Sequence, residues 1–260
     1  MKIATWNINS VRLRLDLVLG FLQKADIDVL CLQETKTQDE FFPVAALADA
    51  GWGHLVFRGE KSYNGVAIIS RLPVKYYGHR LWAGKDDCRH ICARINGVNI
   101  HNFYVPAGGD VADRDVNPKF GHKIDFVDEM KEWFSNNSPR KSVLVGDLNI
   151  APLAEDVWST RQLRNVVSHT DIEREKLTAV INEGGWVDAV REYYGPKKIL
   201  YSWWSYRARD WKASNRGRRL DHIWLSTDIK NKVRSVDIMT QARGFEKPSD
   251  HVPMTIELAE

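Results

Sequence analysis

The chain has only three cysteines in 260 residues, Cys31, Cys88 and Cys92. That is too few for the disulfide framework that staples small secreted folds. Cys88 and Cys92 flank His90, but one such group falls short of the four ligands a structural zinc site requires. No apolar run approaches the ~20 residues needed to span a bilayer, so no membrane partner is expected. The N-terminus leads directly into an apparent strand, without the basic and apolar regions of a signal peptide. A reduced, cytoplasmic setting in a bacterial cell is the expectation. Low-complexity runs, Pro/Gly-rich linkers and residue-level repeats are also missing, so residues 1–260 are expected to form a single domain. The net charge of +3 is small and identifies no partner by itself. A hydrophobic content of 43% and a charged content of 27% exclude a disordered chain and fit a large α/β domain with a substantial core.

What the chain does have is a series of short apolar runs, each ending in a carboxylate or carboxamide. Ile3-Ala4-Thr5-Trp6 ends in Asn7, and Asp28-Val29-Leu30-Cys31-Leu32-Gln33 ends in Glu34. Ser142-Val143-Leu144-Val145-Gly146 ends in Asp147, with Asn149 two residues on. Arg219-Leu220 precedes Asp221, and Pro248-Ser249 precedes Asp250-His251. Short apolar runs bounded by turn residues read as buried strands, and strand ends present polar groups rigidly. Taken singly, each of these groups is more often a turn former or helix cap than a ligand. Taken together they offer hard oxygen ligands suited to Mg²⁺ or Mn²⁺, with His251 as a group for handling protons or contacting phosphate.

Charge is unevenly distributed. Arg207 to Arg219 holds six basic residues and one Asp, a local charge of +5 that leaves the rest of the chain at −2. Trp203, Trp204, Tyr206 and Trp211 lie in or beside this segment. Interleaved Arg and aromatics suit a nucleic-acid backbone and stacked bases, although Trp204 is expected in the core. Periodicity predicts a helix capped by Ser10 and running to about Lys24, with Val11, Leu15, Val18, Leu19 and Leu22 on one face. Strands are expected near 2–7, 27–33, 53–58, 65–70, 90–95, 97–104, 142–147, 201–205, 219–225, 233–239 and 253–258, and helices near 119–135, 171–183 and 186–194. The Gly/Asp-rich segment 106–118 is expected to be irregular. Two packed sheets with helices outside are consistent with this order.

Seven motifs then occur in series: Trp6-Asn7-Ile8-Asn9-Ser10, Leu32-Gln33-Glu34-Thr35-Lys36, Asn64-Gly65-Val66-Ala67-Ile68, Asn102-Phe103-Tyr104-Val105-Pro106, Gly146-Asp147-Leu148-Asn149, Arg219-Leu220-Asp221 and Ser249-Asp250-His251. From Met1 to about Leu258 the chain resembles the exonuclease III family of apurinic/apyrimidinic (AP) endonucleases, within the endonuclease/exonuclease/phosphatase superfamily. Gln-Glu-Thr-Lys with Asn-x-Tyr-x-Pro sets this branch apart from the lipid and inositol phosphatases of the superfamily.

The resemblance implies a four-layer α/β sandwich of two packed mixed β-sheets flanked by helices, with the site where strand ends from both halves meet. It implies a Mg²⁺- or Mn²⁺-dependent DNA phosphodiesterase using one or two ions. Such an enzyme acts in base excision repair, cutting duplex DNA 5′ to abasic sites and trimming damaged or recessed 3′ ends as a monomer. By the same resemblance Glu34 is the first metal ligand, with Asn7 and Asp250 supporting that ion or a second, and Asp147 and Asn149 also near metal. Asp147 activates or positions water, and Asn149 holds that water or a phosphate oxygen. His251 contacts the phosphate with Asp221 fixing its tautomer, and Tyr104 serves as hydrogen-bond donor or phenolate. Trp203 and Leu220 match the pocket for the base-less sugar, and Ser168 aligns loosely with a small residue that leaves room for it. Arg218 departs from the Trp or Leu of some relatives, while Lys36, Arg207 and Arg216 are candidate DNA contacts. Two other readings remain open: a 3′-end exonuclease/3′-phosphatase with little internal cutting, and a non-catalytic DNA-binding relative.

Overall fold

Period-two alternation sorts the strand side chains into two different layers. In the computed structural model, which describes residues 1–259, the order is β1 (Lys2–Asn7), α1 (Leu15–Lys24), β2 (Val29–Gln33), α2 (Val44–Asp49), β3 (His54–Arg58), β4 (Val66–Ser70), β5 (Val74–Gly78), β6 (His90–Ile95), β7 (Val98–Tyr104), α3 (Pro118–Asn136), β8 (Ser142–Asp147), α4 (Thr160–Leu163), α5 (Asp171–Glu183), β9 (Trp186–Asp188), α6 (Ala189–Tyr194), α7 (Trp211–Ser214), β10 (Asp221–Ser226), β11 (Val233–Ile238) and β12 (Met254–Leu258). One six-stranded sheet runs β11-β12-β1-β2-β4-β3 and the other β5-β6-β7-β8-β10-β9. Both are mixed: β1 pairs parallel with β2 and antiparallel with β12, and β7 pairs parallel with β8 and antiparallel with β6.

Ile3, Val29, Cys31, Ile100, Val143, Val145, Ile223 and Leu225 fill the layer between the sheets. The intervening Ala4, Trp6, Leu30 and Leu32 pack on Val18, Phe21 and Leu22 of α1 and on Leu47 of α2. On the other side Phe103, Leu144 and Trp224 meet Phe126, Met130 and Phe134 of α3 and Leu177 and Val180 of α5. This is the four-layer sandwich that the resemblance implied. No helix among the described residues is long and apolar enough to cross a membrane.

Three local expectations are corrected. Ser10 does not cap α1: its N–H donates to Glu34 O (2.8 Å) and Val11 N–H to Thr35 O (3.1 Å), which holds this stretch against the end of β2 so that the helix starts only at Leu15. Residues 186–194 are not one helix. Residues 186–188 pair with β10 as β9, and the Asp188 carboxylate accepts from Val190 N–H and Arg191 N–H (3.1 Å each) to start α6. Residues 201–205 form no ladder, only single bridges from Trp203 to Arg218 and to His251. The edge strand β5 went unforeseen because it does not alternate: consecutive Tyr76 and Tyr77 are each 65% exposed. Segment 106–118 has no strand and runs into α3 at its end, where the Asn117 side chain accepts from Lys119 N–H at 3.1 Å.

One polar tie crosses the apolar layer. Asn102 Nδ2 on β7 donates to Leu32 O of β2 and Ala67 O of β4 (2.9 Å each), so one side chain bonds both sheets. Gln33 Nε2 donates to Asn102 Oδ1 (2.7 Å) and Thr5 Oγ1 (3.0 Å). Buried polar groups stripped of partners cost about 1–3 kcal/mol each. Asn102→Ala should therefore lower the free energy of unfolding by about 3 kcal/mol in urea titration; a loss under about 1 kcal/mol would mean the tie is dispensable.

Candidate active site

The inward-facing rows of four strands end in polar residues at one edge of the sandwich. Asn7 continues the row of Ile3 on β1, and Tyr104 that of Ile100 and Asn102 on β7. Asp147 continues Val143 and Val145 on β8, and Asp221 precedes Ile223 and Leu225 on β10. Pairing puts Tyr104 opposite Asp147 and Asp147 opposite Asp221. Gly146 makes this approach possible: at φ +142°, a Cβ would lie 1.9 Å from Phe103 O.

The groups are joined by short hydrogen bonds. Asn7 Nδ2 donates to Glu34 Oε1 and to Asp147 Oδ2 (2.9 Å each), and Tyr104 OH donates to the same Glu34 oxygen at 2.8 Å. Asn149 donates to Asp147 through its N–H (2.9 Å to Oδ1) and its amide (3.2 Å to Oδ2), and also to Val105 O (2.9 Å). His251 Nδ1 lies 2.7 Å from Asp221 Oδ2 and its Nε2 3.6 Å from Asp147 Oδ2. The loop carrying His251 is anchored by Ser249 Oγ donating to Asn7 O (2.6 Å) and Trp6 Nε1 to His251 O (3.0 Å).

Burial sets the protonation states. The Asp147 carboxyl is pushed up to about 7 by burial, despite the opposing pull of His251 and the Asn7 bond. Burial also works against the imidazolium of His251, but Asp221 and Asp147 outweigh it and raise the ring to about 10. His251 is therefore a cation at neutral pH, donating through both nitrogens. Burial likewise disfavours the Glu34 anion, yet Lys36 and Asn7 leave it below the usual carboxylate range. Tyr104 is held well above its ordinary value by burial and by the charges of Glu34 and Asp147. The phenolate alternative is thus set aside: Tyr104 is a neutral donor.

Among the described residues, Asp147, Asp221 and His251 form a group whose ligand atoms all lie within 4.8 Å of one another. The Glu34 side is rich in oxygen and already holds a cation: Lys36 Nζ sits 2.6 Å from Glu34 Oε2 and 2.8 Å from Asn9 Oδ1. Asn9 Nδ2 in turn donates to Asp250 Oδ1 (3.3 Å), and Trp203 Nε1 to Asp250 Oδ2 (3.0 Å). This donor set fits a hard divalent cation, as does Asp221 Oδ1, which is buried without a hydrogen-bond partner. Asn7 faces the carboxylates with its nitrogen, while its oxygen accepts from Asn9 N–H (3.1 Å), so here it bridges Glu34 and Asp147 as a donor.

A cleft of about 730 Å³ opens from this edge, lined by Trp203, Arg207, Arg216, Arg218, Leu220 and Ser168 together with Glu34, Asn149 and His251. Arg207 and Arg216 are exposed, and the Arg216 guanidinium stacks 4.7 Å from the Trp158 ring. Arg218 is engaged within the protein. It lies over Trp203 (5.3 Å) and donates to Ser168 Oγ (2.7 Å) and Val167 O (3.1 Å), so the space expected beside Ser168 is partly filled. Trp204 is in the core, packed with Ala242 and Val252. Arg219 leaves the group of DNA-facing candidates in the basic segment: it is fully buried, with Nε 2.6 Å from Asp156 Oδ1 and Nη1 2.8 Å from Asp188 Oδ2.

Sequence reasoning gave no part to Asn9, Trp158, Lys123 or Glu173. Asn9 was visible inside its motif, but its link between Lys36 and Asp250 depends on a left-handed backbone at φ +48°.

A family model described as the endonuclease/exonuclease/phosphatase family matches residues 4–251. An exodeoxyribonuclease of Bacillus subtilis is 30% identical over 262 residues, covering 98% of each chain. The Neisseria 3′ phosphatase NExo, solved bound to a product DNA hairpin, superimposes with a TM-score of 0.93 at 33% identity over the whole of both chains. An AP endonuclease from Archaeoglobus fulgidus gives 0.92 at 31%, again over the whole of both. The matched span runs across every group gathered at this edge from Asn7 to His251, and the chain belongs to the endonuclease/exonuclease/phosphatase family.

Proposed function

We propose that this protein is a divalent-metal-dependent DNA phosphodiesterase of base excision repair, cutting 5′ to abasic sites and removing nucleotides or blocking groups from 3′ ends. The observation that carries this reading is the convergence of Glu34, Tyr104, Asp147, Asn149, Asp221 and His251 at one edge that opens into an arginine- and tryptophan-lined cleft. Relatives named for exonuclease, 3′-phosphatase and AP endonuclease activity support the substrate class.

Glu34, with Asn9 and Asp250 beside it and Asp147 and Asp221 across the site, would hold the ion, Mg²⁺ or Mn²⁺ in this proposal. Once bound it would supply charge neutralisation on the phosphate and on the departing 3′-oxygen. The protein does the rest. Asp147 takes a proton from the attacking water as general base. Asn149 and Asn7 fix its two oxygens, so the free lone pairs keep one direction. The new P–O bond forms as the P–O3′ bond breaks; the departing 3′-oxygen takes a proton from solvent to become the 3′-hydroxyl, and Asp147 releases its proton to solvent. His251, held by Asp221, presents a positive N–H to the phosphate and offsets the charge that builds on it. Tyr104 orients Glu34 from the side opposite Lys36.

The second reading, a 3′-end enzyme with little internal cutting, is favoured by one observation: Arg218 occupies the space beside Ser168. One assay separates the two. A duplex with a central abasic-site analogue and a duplex with a recessed 3′-phosphate are incubated with Mg²⁺, with and without EDTA. The proposal expects a nick 5′ to the abasic site and release of phosphate, both abolished by EDTA. Phosphate release without a nick would leave the second reading; EDTA-resistant cleavage would remove the metal.

Glu34→Ala should lower kcat by about 100-fold or more while the duplex still binds, as expected when a ligand supporting transition-state charge is removed; turnover within a few-fold of the parent would take Glu34 out of the metal site. Neutralising Arg207 and Arg216 together should flatten the salt dependence of duplex binding by up to about one unit of slope per lost phosphate contact. An unchanged slope in a fluorescence-anisotropy salt series would mean that both face away from DNA.

A further inference from the structure

Lys123 and Glu173 are a fully buried ion pair behind the cleft, and the reaction described above does not use them. Lys123 lies on the inner face of α3, among Phe120, Ile124 and Val127, and Glu173 in the first turn of α5; both are 0% exposed. Their charged atoms are 2.5 Å apart. Burying two charges costs several kcal/mol in desolvation, and well-packed apolar side chains often stabilise as much. What this pair grips is more specific than stability.

Lys123 Nζ spends its other bonds on backbone carbonyls, Asn149 O at 2.8 Å and Ala107 O at 3.2 Å. Glu173 accepts Ser168 N–H at 2.9 Å on both oxygens, besides the Thr170 N–H and hydroxyl at the start of its own helix. Ala107, Asn149 and Ser168 all line the cleft. Asn149 and Ser168 are non-glycine residues in the left-handed region, at φ +53° and +88°. Such conformations persist only where surrounding contacts over-determine them. The pair supplies that contact to each, one through its carbonyl and the other through its N–H. The Lys123 stem also backs the loop at Gly108 (φ +89°), where a Cβ would come within 2.9 Å of Lys123 Cδ.

We infer that Lys123 and Glu173 are positioning residues for the reaction. Through one buried ion pair they lock the Asn149 turn, which orients Asp147, to the Ser168 wall that meets the substrate. This rests on the nuclease reading above. The chemistry-bearing turn and the substrate wall belong to successive loops, and one backbone hydrogen bond, Ala151 N–H to Ser168 O (2.8 Å), spans them directly. Without the pair, the two segments would be coupled only through Ala151, by that bond and by the contact of its carbonyl with His169 Nδ1 (2.6 Å).

The test is the double variant Lys123→Met/Glu173→Gln, which removes both charges together and avoids stranding one. Two readouts are taken on the folded protein. Hydrogen exchange at the Ser168 amide should quicken by at least about tenfold relative to core strand amides. On the 3′-phosphate duplex with Mg²⁺, kcat should fall about 100-fold with KM changed no more than about threefold, since displacement of a catalytic group by about 1 Å costs this much. A folded double variant with parental kcat, or with unchanged Ser168 exchange, overturns the inference. If the double variant does not fold, Glu173→Gln alone decides by the same two readouts. Should the parent protein itself cleave neither duplex, the nuclease reading fails, and the exchange measurement still decides whether the pair holds the wall.

Discussion

Everything at the active edge depends on the face-to-face register of the two sheets. Side chains alternate along a strand, so a residue shares the layer of its neighbours two positions away. Asn7, Tyr104, Asp147 and Asp221 are the ends of rows whose earlier members, Ile3, Ile100, Val145 and Ile223, form the dry layer between the sheets. A slip of one residue in β8 would turn Asp147 toward α3 and bring Leu144 inward. The Asn102 tie to Leu32 O and Ala67 O fixes β7 against the facing sheet, because its two bonds are satisfied in only one register. The same dry layer gives the site its electrostatics. Polar groups at its rim are wetted from one side only, which is why burial is the largest influence on Asp147, Glu34, Tyr104 and His251 alike.

Charge balance follows from this placement. Four carboxyl groups, Glu34, Asp147, Asp221 and Asp250, stand against two cationic side chains, Lys36 and His251. The formal excess is two negative charges in a partly buried setting, a costly arrangement unless compensated. A divalent cation would compensate it, and in the proposed function an arriving phosphate would make that cation more necessary still. Lys36 shows where positive charge is most stabilised, between Glu34 Oε2 and Asn9 Oδ1. A flexible ammonium can yield that position at little cost, whereas a buried guanidinium could not.

The sequence disclosed the strands that carry the site because their apolar runs are uninterrupted and their last residues are chemically conspicuous. β1, β2 and β8 were legible with bounds close to those observed. Legibility failed wherever a long-range bond overrode a local signal. Ser10 has the chemistry of a cap, but its backbone is claimed by Glu34 and Thr35. Trp186 to Asp188 have the composition of a helix start, but the exposed side of β10 recruits them as a strand. Arg219 reads as one more basic residue in a DNA-facing run until Asp156 and Asp188 close around it from distant parts of the chain. Lys123 was invisible for the same reason: a lysine in an amphipathic helix reads as solvated unless its partner, 50 residues on, is known.

Under the proposed function, substrate choice would turn on what Arg218 exchanges. Its guanidinium has one face on Trp203 and donates to Ser168 Oγ and Val167 O, while its Nε is buried without a partner. An extruded sugar that enters beside Ser168 must displace the guanidinium, breaking two hydrogen bonds and a stacking contact. Displacement exposes the freed N–H groups to an incoming phosphate, which accepts from a guanidinium more strongly than a neutral carbonyl or hydroxyl does. The cost of opening is thereby offset when a phosphate lies within reach of the swung-out side chain, and an abasic site flanked by phosphates on both sides provides one where a blunt terminus does not. Under the proposed function, Arg218 would therefore discriminate by the phosphate that replaces its protein partners, with no need for a pocket shaped in advance to the sugar.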